Sequence, residues 1–219
     1  MSEFIVHNLP GSPFGRAVLA ALLEKNAHFR LEAVAPGTLK SAPHLARHPF
    51  GRVPVLEHDG LVLYETQAIL RYIDRALPRP PLTPDEPKAA ARMDQALNVC
   101  DWYLFQGVNH VIGFQRIVGP QLLGLTPDEA AIAAAMPKAH MVFAELERLL
   151  GDKAFLAAQD LTLADLHVAP HLDFLAMTPE WQTLTAQTPN LVRWLDRMNA
   201  RASFKATTWE RVAAMAKAA

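Results

Sequence analysis

Five of the seventeen prolines fall within ten residues, Pro78 to Pro87, in the run LPRPPLTPDEP. Proline lacks a backbone N–H and its ring blocks the preceding turn, so such a run neither continues a helix nor joins the interior of a sheet. A length of 219 residues suits one large domain or two modest ones. The proline run favours two, residues 1–80 and 81–219, with a linker over about 78–87.

Ahead of the linker two periodicities alternate. Phe4 to Leu9 reads as a strand, and Phe14 to Lys25 sets Val18, Leu19, Leu22 and Leu23 at helical spacing. Phe29 to Val34 reads as a second strand, while Pro54 to Glu57 and Leu61 to Tyr64 read as a hairpin turning at Asp59-Gly60. Glu65 to Ala76 returns to helical spacing with Ile69, Leu70 and Ile73 on one face. The order is β-α-β, a connecting segment, then β-β-α, which predicts a small mixed sheet with helices packed on it. Behind the linker only helical stretches appear: Lys88 to about Val118, Pro127 to Leu150, Leu163 to Ala176, Leu191 to Ala200 and a tail from Phe204.

Composition removes several classes of function. With 51% apolar residues, 21 basic and 22 acidic, the chain is neither disordered nor basic enough to bind a phosphate backbone, so no nucleic-acid partner is expected. No apolar run approaches the roughly 18 residues of a membrane-spanning helix, and no basic residue precedes Arg16 to begin a secretory leader. A cytoplasmic protein without a membrane partner is expected. The single cysteine, Cys100, excludes an internal disulfide and every CxxC pattern. Residues 1–80 carry nine basic and seven acidic side chains (+2) and the remainder twelve and fifteen (−3), a split that points an anionic ligand towards the first domain.

Four features lie where chain reversals meet element ends, where backbone donors are free to bind a ligand. Ser12, in Pro10-Gly11-Ser12-Pro13, stands at the start of the first helix, either as an N-cap or as a hydroxyl that stabilises an anion such as a thiolate. Pro54 opens a strand; a cis bond before it would turn the N–H and C=O of Val53 outward for an extended peptide. Glu65 and Thr66, where a strand passes directly into a helix, suit the two charged ends of an α-amino acid or a plain cap. Lys40, in the connecting segment, reads as a solvated lysine or as a cation for a second carboxylate.

Together these segments resemble a cytosolic glutathione transferase of the serine-using, theta- and phi-like type, in the style of bacterial members. His48 to Leu56 resembles the cis-proline loop of that family, Leu63 to Ile73 the segment binding the γ-glutamyl end, and Ser12 to Val18 the start of helix one. The resemblance implies a thioredoxin-like N-terminal domain (βαβ-α-ββα) and an all-helical C-terminal domain, with glutathione as co-substrate and no metal or redox cofactor. It gives Ser12 the activation of the thiolate, Val53 and Pro54 the backbone pairing with the cysteinyl residue, Glu65 and Thr66 the γ-glutamyl group, and Lys40 and Arg52 the glycyl carboxylate. Tyr64, Tyr72 and Tyr103 come too late to be the N-terminal tyrosine of other classes, and Cys100 lies outside the thioredoxin-like domain, so serine remains. Phe14, Tyr103, Gln106 and His110 are implied on the electrophile side, and Phe50 matches an aromatic that inserts into a partner subunit, which implies a homodimer. The implied reaction is conjugation of glutathione to a small hydrophobic electrophile, as in detoxification. Alternatives are a specialised glutathione-dependent dehalogenase, isomerase or peroxidase, or a non-catalytic binding or regulatory protein. Retention of Ser12, Glu65 and Thr66 argues against the last.

His44 and His48, and His167 and His171, stand four apart, a spacing at which two imidazoles on a helix can share a metal. Neither pair has a clear third ligand, and Pro49 and Pro170 disturb the local helix, so no metal is expected. Leu161 to Leu166 reads as a capping box built on Thr162 and Asp165, which makes Asp165 structural. Trp102, Tyr103, Phe105 and Phe114 read as core ahead of pocket on their spacing alone, the resemblance setting Tyr103 at the pocket.

Overall fold

The computed structural model describes residues 3–218. The chain forms two compact units, one of Met1–Thr83 with Asn199–Ala219 and one of Pro84–Met198. In the first, β1 (Phe4–Asn8), α1 (Pro13–Glu24), β2 (Phe29–Ala33), α2 (Ala42–Arg47), β3 (Val55–His58), β4 (Leu61–Tyr64) and α3 (Thr66–Ala76) follow the expected order. The strands lie as β2-β1-β3-β4, with β1 parallel to β2 and antiparallel to β3, and β3 antiparallel to β4. The result is a mixed, thioredoxin-like sheet. Strand β1 buries every second residue, Phe4, Val6 and Asn8. Phe4 and Val6 meet Val18, Leu19 and Leu22 of α1, Ile69 and Ile73 of α3, Leu31 and Leu56 in one core.

The second unit is helical: α4 (Pro87–Val99), a π-helical segment (Cys100–Val118), α5 (Gly119–Leu123), α6 (Glu129–Leu150), α7 (Leu163–Leu175), α8 (Trp181–Thr185) and most of α9 (Pro189–Ala200). The π winding runs for nineteen residues, where such i→i+5 bonding ordinarily lasts a single turn. It sets the buried stripe at Cys100, Leu104, Val108, Ile112 and Ile117, a step of four or five residues. Trp102 and Tyr103 fall off that stripe and are 61% and 54% exposed, contrary to the core position expected for them. The capping box forms at the start of α7. Asp165 is fully buried and accepts from the Thr162 N–H (2.9 Å) and hydroxyl (2.8 Å), the Leu156 N–H (2.8 Å) and the Trp194 indole N–H (2.9 Å).

The last helices, α10 (Ala202–Ala206) and α11 (Trp209–Ala218), pack with the first unit, although their sequence position assigns them to residues 81–219. Val212 enters the core of the sheet. Arg201 grips Glu24 with two bonds of 2.8 Å, and the buried Arg16 guanidinium lies 5.3 Å and 5.1 Å from the ring centres of Phe204 and Trp209. A helical period identifies an amphipathic segment without saying which core receives it.

At the end of α1 the Lys25 ammonium is fully buried. It pairs with Asp74 of α3 at 2.5 Å and donates to the Pro80 C=O, while Asp74 accepts from the Leu82 N–H at 2.9 Å. Breaking one side of a buried ion pair strands the other charge. Asp74→Ala is expected to lower stability by about 3–5 kcal/mol in urea unfolding, whereas Arg148→Ala, which removes an exposed pair with Glu145, leaves the midpoint where it was.

Candidate active site

Strand register gathers the singled-out turns of the first unit. His7 stands opposite Val55, and Val55 opposite Tyr64. The turn after β1, the Val53-Pro54 step before β3 and the Glu65-Thr66 step after β4 therefore leave the sheet at one end, on adjacent strands about 4.8 Å apart. Both α1 and α3 begin at that end, presenting N-terminal N–H groups and the positive ends of their dipoles.

Ser12 is half-buried and caps α1, its Oγ accepting from the Gly15 N–H at 3.3 Å. Gly11, at φ +95°, makes the turn ahead of it. Phe14 is half-buried on the first turn of α1, and Arg16 stands four residues beyond Ser12, on the same face.

The Val53-Pro54 bond is cis. The N–H and C=O of Val53 make no hydrogen bond among the described residues, the state expected of an edge that receives an extended peptide. The His44 Nε2 meets the Arg52 C=O at 2.9 Å, and the Lys40 ammonium donates to the Phe50 C=O at 2.9 Å. Gly51, at φ +61°, is required here: a Cβ would stand 2.6 Å from the Leu39 oxygen and 2.9 Å from the Lys40 Nζ. Arg52 is exposed, and its guanidinium has no partner among the described residues. His48 is buried and stacks on Tyr64 at 4.7 Å. Burial first, then His44, Arg52 and Lys40, hold its imidazole below the ordinary range, so it stays neutral within a basic cluster.

Glu65 takes φ +71°, a strained conformation for a long side chain, at the reversal from β4 into α3. Its exposed carboxylate caps nothing and has no partner among the described residues. Thr66 follows, buried, as the first residue of α3.

Tyr103, Gln106 and His110 lie exposed on the π-helical segment of the second unit. The Lys138 ammonium stands 6.0 Å above the Tyr103 ring, and the His110 ring is 5.9 Å from that of Phe105. Sequence reasoning passed over Asn8, Gly15 and Arg16. The alternation of β1 places Asn8 inward, and the helical period puts Arg16 beneath Ser12; the close approach of Gly15 to Asn8 has no such signal.

The model for the glutathione S-transferase N-terminal domain matches residues 6–81, and that for the C-terminal domain matches 105–202. A glutathione S-transferase of Hyoscyamus muticus is 32% identical over 200 residues, 90% of this chain and 93% of the relative. The chain belongs to the glutathione S-transferase family. Glutathione S-transferase F14 of Arabidopsis thaliana is 32% identical over 198 residues, 87% of this chain and 77% of its own. The crystal structure of glutathione transferase F7 from Populus trichocarpa superposes with a TM-score of 0.84 at 30% identity, covering 97% of this chain and 99% of that one. That of a glutathione S-transferase-I bound with lactoylglutathione superposes at 0.83 and 27% identity, covering 97% and 99%.

In this glutathione transferase the second histidine pair does acquire a neighbour. Single ligand atoms of Cys100, His167 and His171 lie within 4.8 Å of one another, all three side chains buried. The Cys100 thiol faces the His167 C=O at 3.9 Å, the His167 Nε2 meets Asp101 at 2.6 Å, and the Asn109 amide donates to the His171 C=O at 3.0 Å. Burial pushes the Cys100 thiol well up and, with His167 nearby, pushes His171 down to about 3. These contacts knit the group into a polar network of the helical core. His171 in the unfolded chain takes up its proton below about 6.5, while the folded chain resists down to about 3. Its contribution to stability is therefore whole above 6.5 and is lost as the pH falls, by about 1.4 kcal/mol per unit. The urea midpoint is expected to fall between pH 6.5 and 4.5, and to fall less in His171→Asn.

Proposed function

We propose that this glutathione transferase binds reduced glutathione at the shared sheet end of its first domain, residues 1–80, and ionises the thiol beside Ser12. The thiolate then forms a carbon–sulfur bond with a small hydrophobic electrophile, giving the glutathione conjugate, in a serine-type, theta- or phi-like enzyme of the cytoplasm. The observation that carries this reading is the register that brings Ser12, Val53, Glu65 and Thr66 to one end of three adjacent strands. Each piece suits a part of the tripeptide. The open N–H and C=O of Val53 fit the extended cysteinyl backbone, and the start of α3 with the unpaired Glu65 fits the carboxylate and ammonium of the γ-glutamyl end. Lys40 and Arg52 face the glycyl carboxylate.

A free thiol near pKa 8.5 is only a few per cent ionised at neutral pH. Lowering that value by about two units takes ~2.7 kcal/mol of preference for the anion, within reach of a charge-assisted bond from the Ser12 hydroxyl together with the α1 dipole. The remaining acceleration comes from holding two reactants together. Ultraviolet titration of the bound thiol should show ionisation well below the free value in the wild type and a return towards it in Ser12→Ala, whose turnover falls by about 10²–10³. An unshifted wild-type thiol overturns the reading, and equal shifts in both leave Ser12 a cap alone.

The same reading makes the enzyme a homodimer closed by Phe50, which is 62% exposed, with Leu61 and Val62 exposed on the edge strand β4. Phe50→Ser is expected to shift sedimentation towards the monomer.

A further inference from the structure

Asn8 ends β1 at the sheet end where the thiol is assigned. Phe4, Val6 and Asn8 point the same way, so a carboxamide follows two core side chains in one row. It is 1% exposed, and neither its Oδ1 nor its Nδ2 has a hydrogen-bond partner among the described residues. A buried amide left unpaired is costly, and native chains keep one where it has a task. The carboxamide lies against the first turn of α1: a Cβ at Gly15 would overlap it, so a glycine inside a helix, itself unfavourable, is what admits it. Gly15 is also the residue whose N–H Ser12 caps, at a long 3.3 Å.

Ser12 thus meets two demands: its Oγ accepts from the Gly15 N–H, and its O–H donates to a sulfur anion. One hydroxyl serves both fully only where the anion lies along the cap rotamer, and the cap bond is already long at 3.3 Å. An acceptor standing beside Gly15 frees Ser12 to turn. We propose that Asn8 is a positioning residue of the thiol site: when Ser12 turns to the glutathione thiolate, the Asn8 Oδ1 takes over the Gly15 N–H and keeps the first turn of α1 satisfied. The proposal rests on the assignment of the thiolate to Ser12, and Asn8 acts through Ser12 without touching glutathione.

The test is the thiol titration with steady-state kinetics in the wild type, Asn8→Ala, Ser12→Ala and the Asn8→Ala/Ser12→Ala double variant. Asn8→Ala is expected to raise the pKa of the bound thiol by about 0.5–1, the equivalent of one neutral hydrogen bond, and to lower kcat about three- to tenfold. KM for glutathione stays within about twofold, because no contact to the tripeptide is lost. The thermal midpoint stays at or above that of the wild type, an unpaired amide having gone. In the Ser12→Ala background the same change is silent. A thiol and kcat unmoved by Asn8→Ala overturn the proposal, as does an equal shift with and without Ser12. Should Asn8→Ala not fold, Asn8→Ala/Gly15→Ala fills the vacated space with the new methyl and carries the same measurement and the same expectation. A wild-type thiol with an ordinary pKa overturns the Ser12 assignment and this proposal together, and is recognised because Ser12→Ala then changes nothing.

Discussion

The buried pair of Lys25 and Asp74 sets the frame of the first unit. One ammonium and one carboxylate satisfy the Pro80 C=O and the Leu82 N–H as well as each other. They bind the end of α1, the last turn of α3 and the proline linker at the opposite end of the sheet from the candidate site. Two helices fixed at their C-termini have little freedom at their N-termini, and those N-termini, with the positive ends of their dipoles, border the candidate site. The rigidity of the proline run is thereby put to use, since it leaves the unit at a fixed place instead of trailing from it.

Strand register does the rest. Because side chains alternate, a slip of one residue between β1, β3 and β4 would turn Leu56 out of the core and shift the Val53-Pro54 step relative to the turns after β1 and β4. The hydrophobic core thus fixes the positions of backbone groups that take no part in it. The strain at Glu65 has the same origin: β4 ends where the core requires, α3 begins where Ile69 and Ile73 can reach that core, and one residue between them absorbs the reversal.

The first 80 residues are legible because each element carries a distinct period and each turn its marker residues. Asp59 and Gly60 both adopt positive φ, as the hairpin demands, and Pro54 has the cis bond that a turned-out Val53 needs. Short helices such as α2 and α8 are too brief to establish a period. The π winding escapes because its step of four to five still looks helical over one or two turns, so the sequence period sets Trp102 and Tyr103 inward where the structure exposes them. Ser12 remains the instructive residue, since a cap and an activator need the same side chain at the same place. What separates the two roles is a neighbour, Asn8, which a strand pattern marks as inward without revealing that its amide is unpaired.

The return of residues 199–219 to the first unit also orders the making of the protein. A chain leaves the ribosome from its N-terminus, at about 5–20 residues per second, and β1 to α3 are exposed well before α10 and α11 exist. Val212 belongs to the core of that sheet, and Arg16 meets its two aromatic rings only in the last helices. The sheet-bearing unit is thus begun before the helical unit and completed after it, with residues 84–198 produced in the interval.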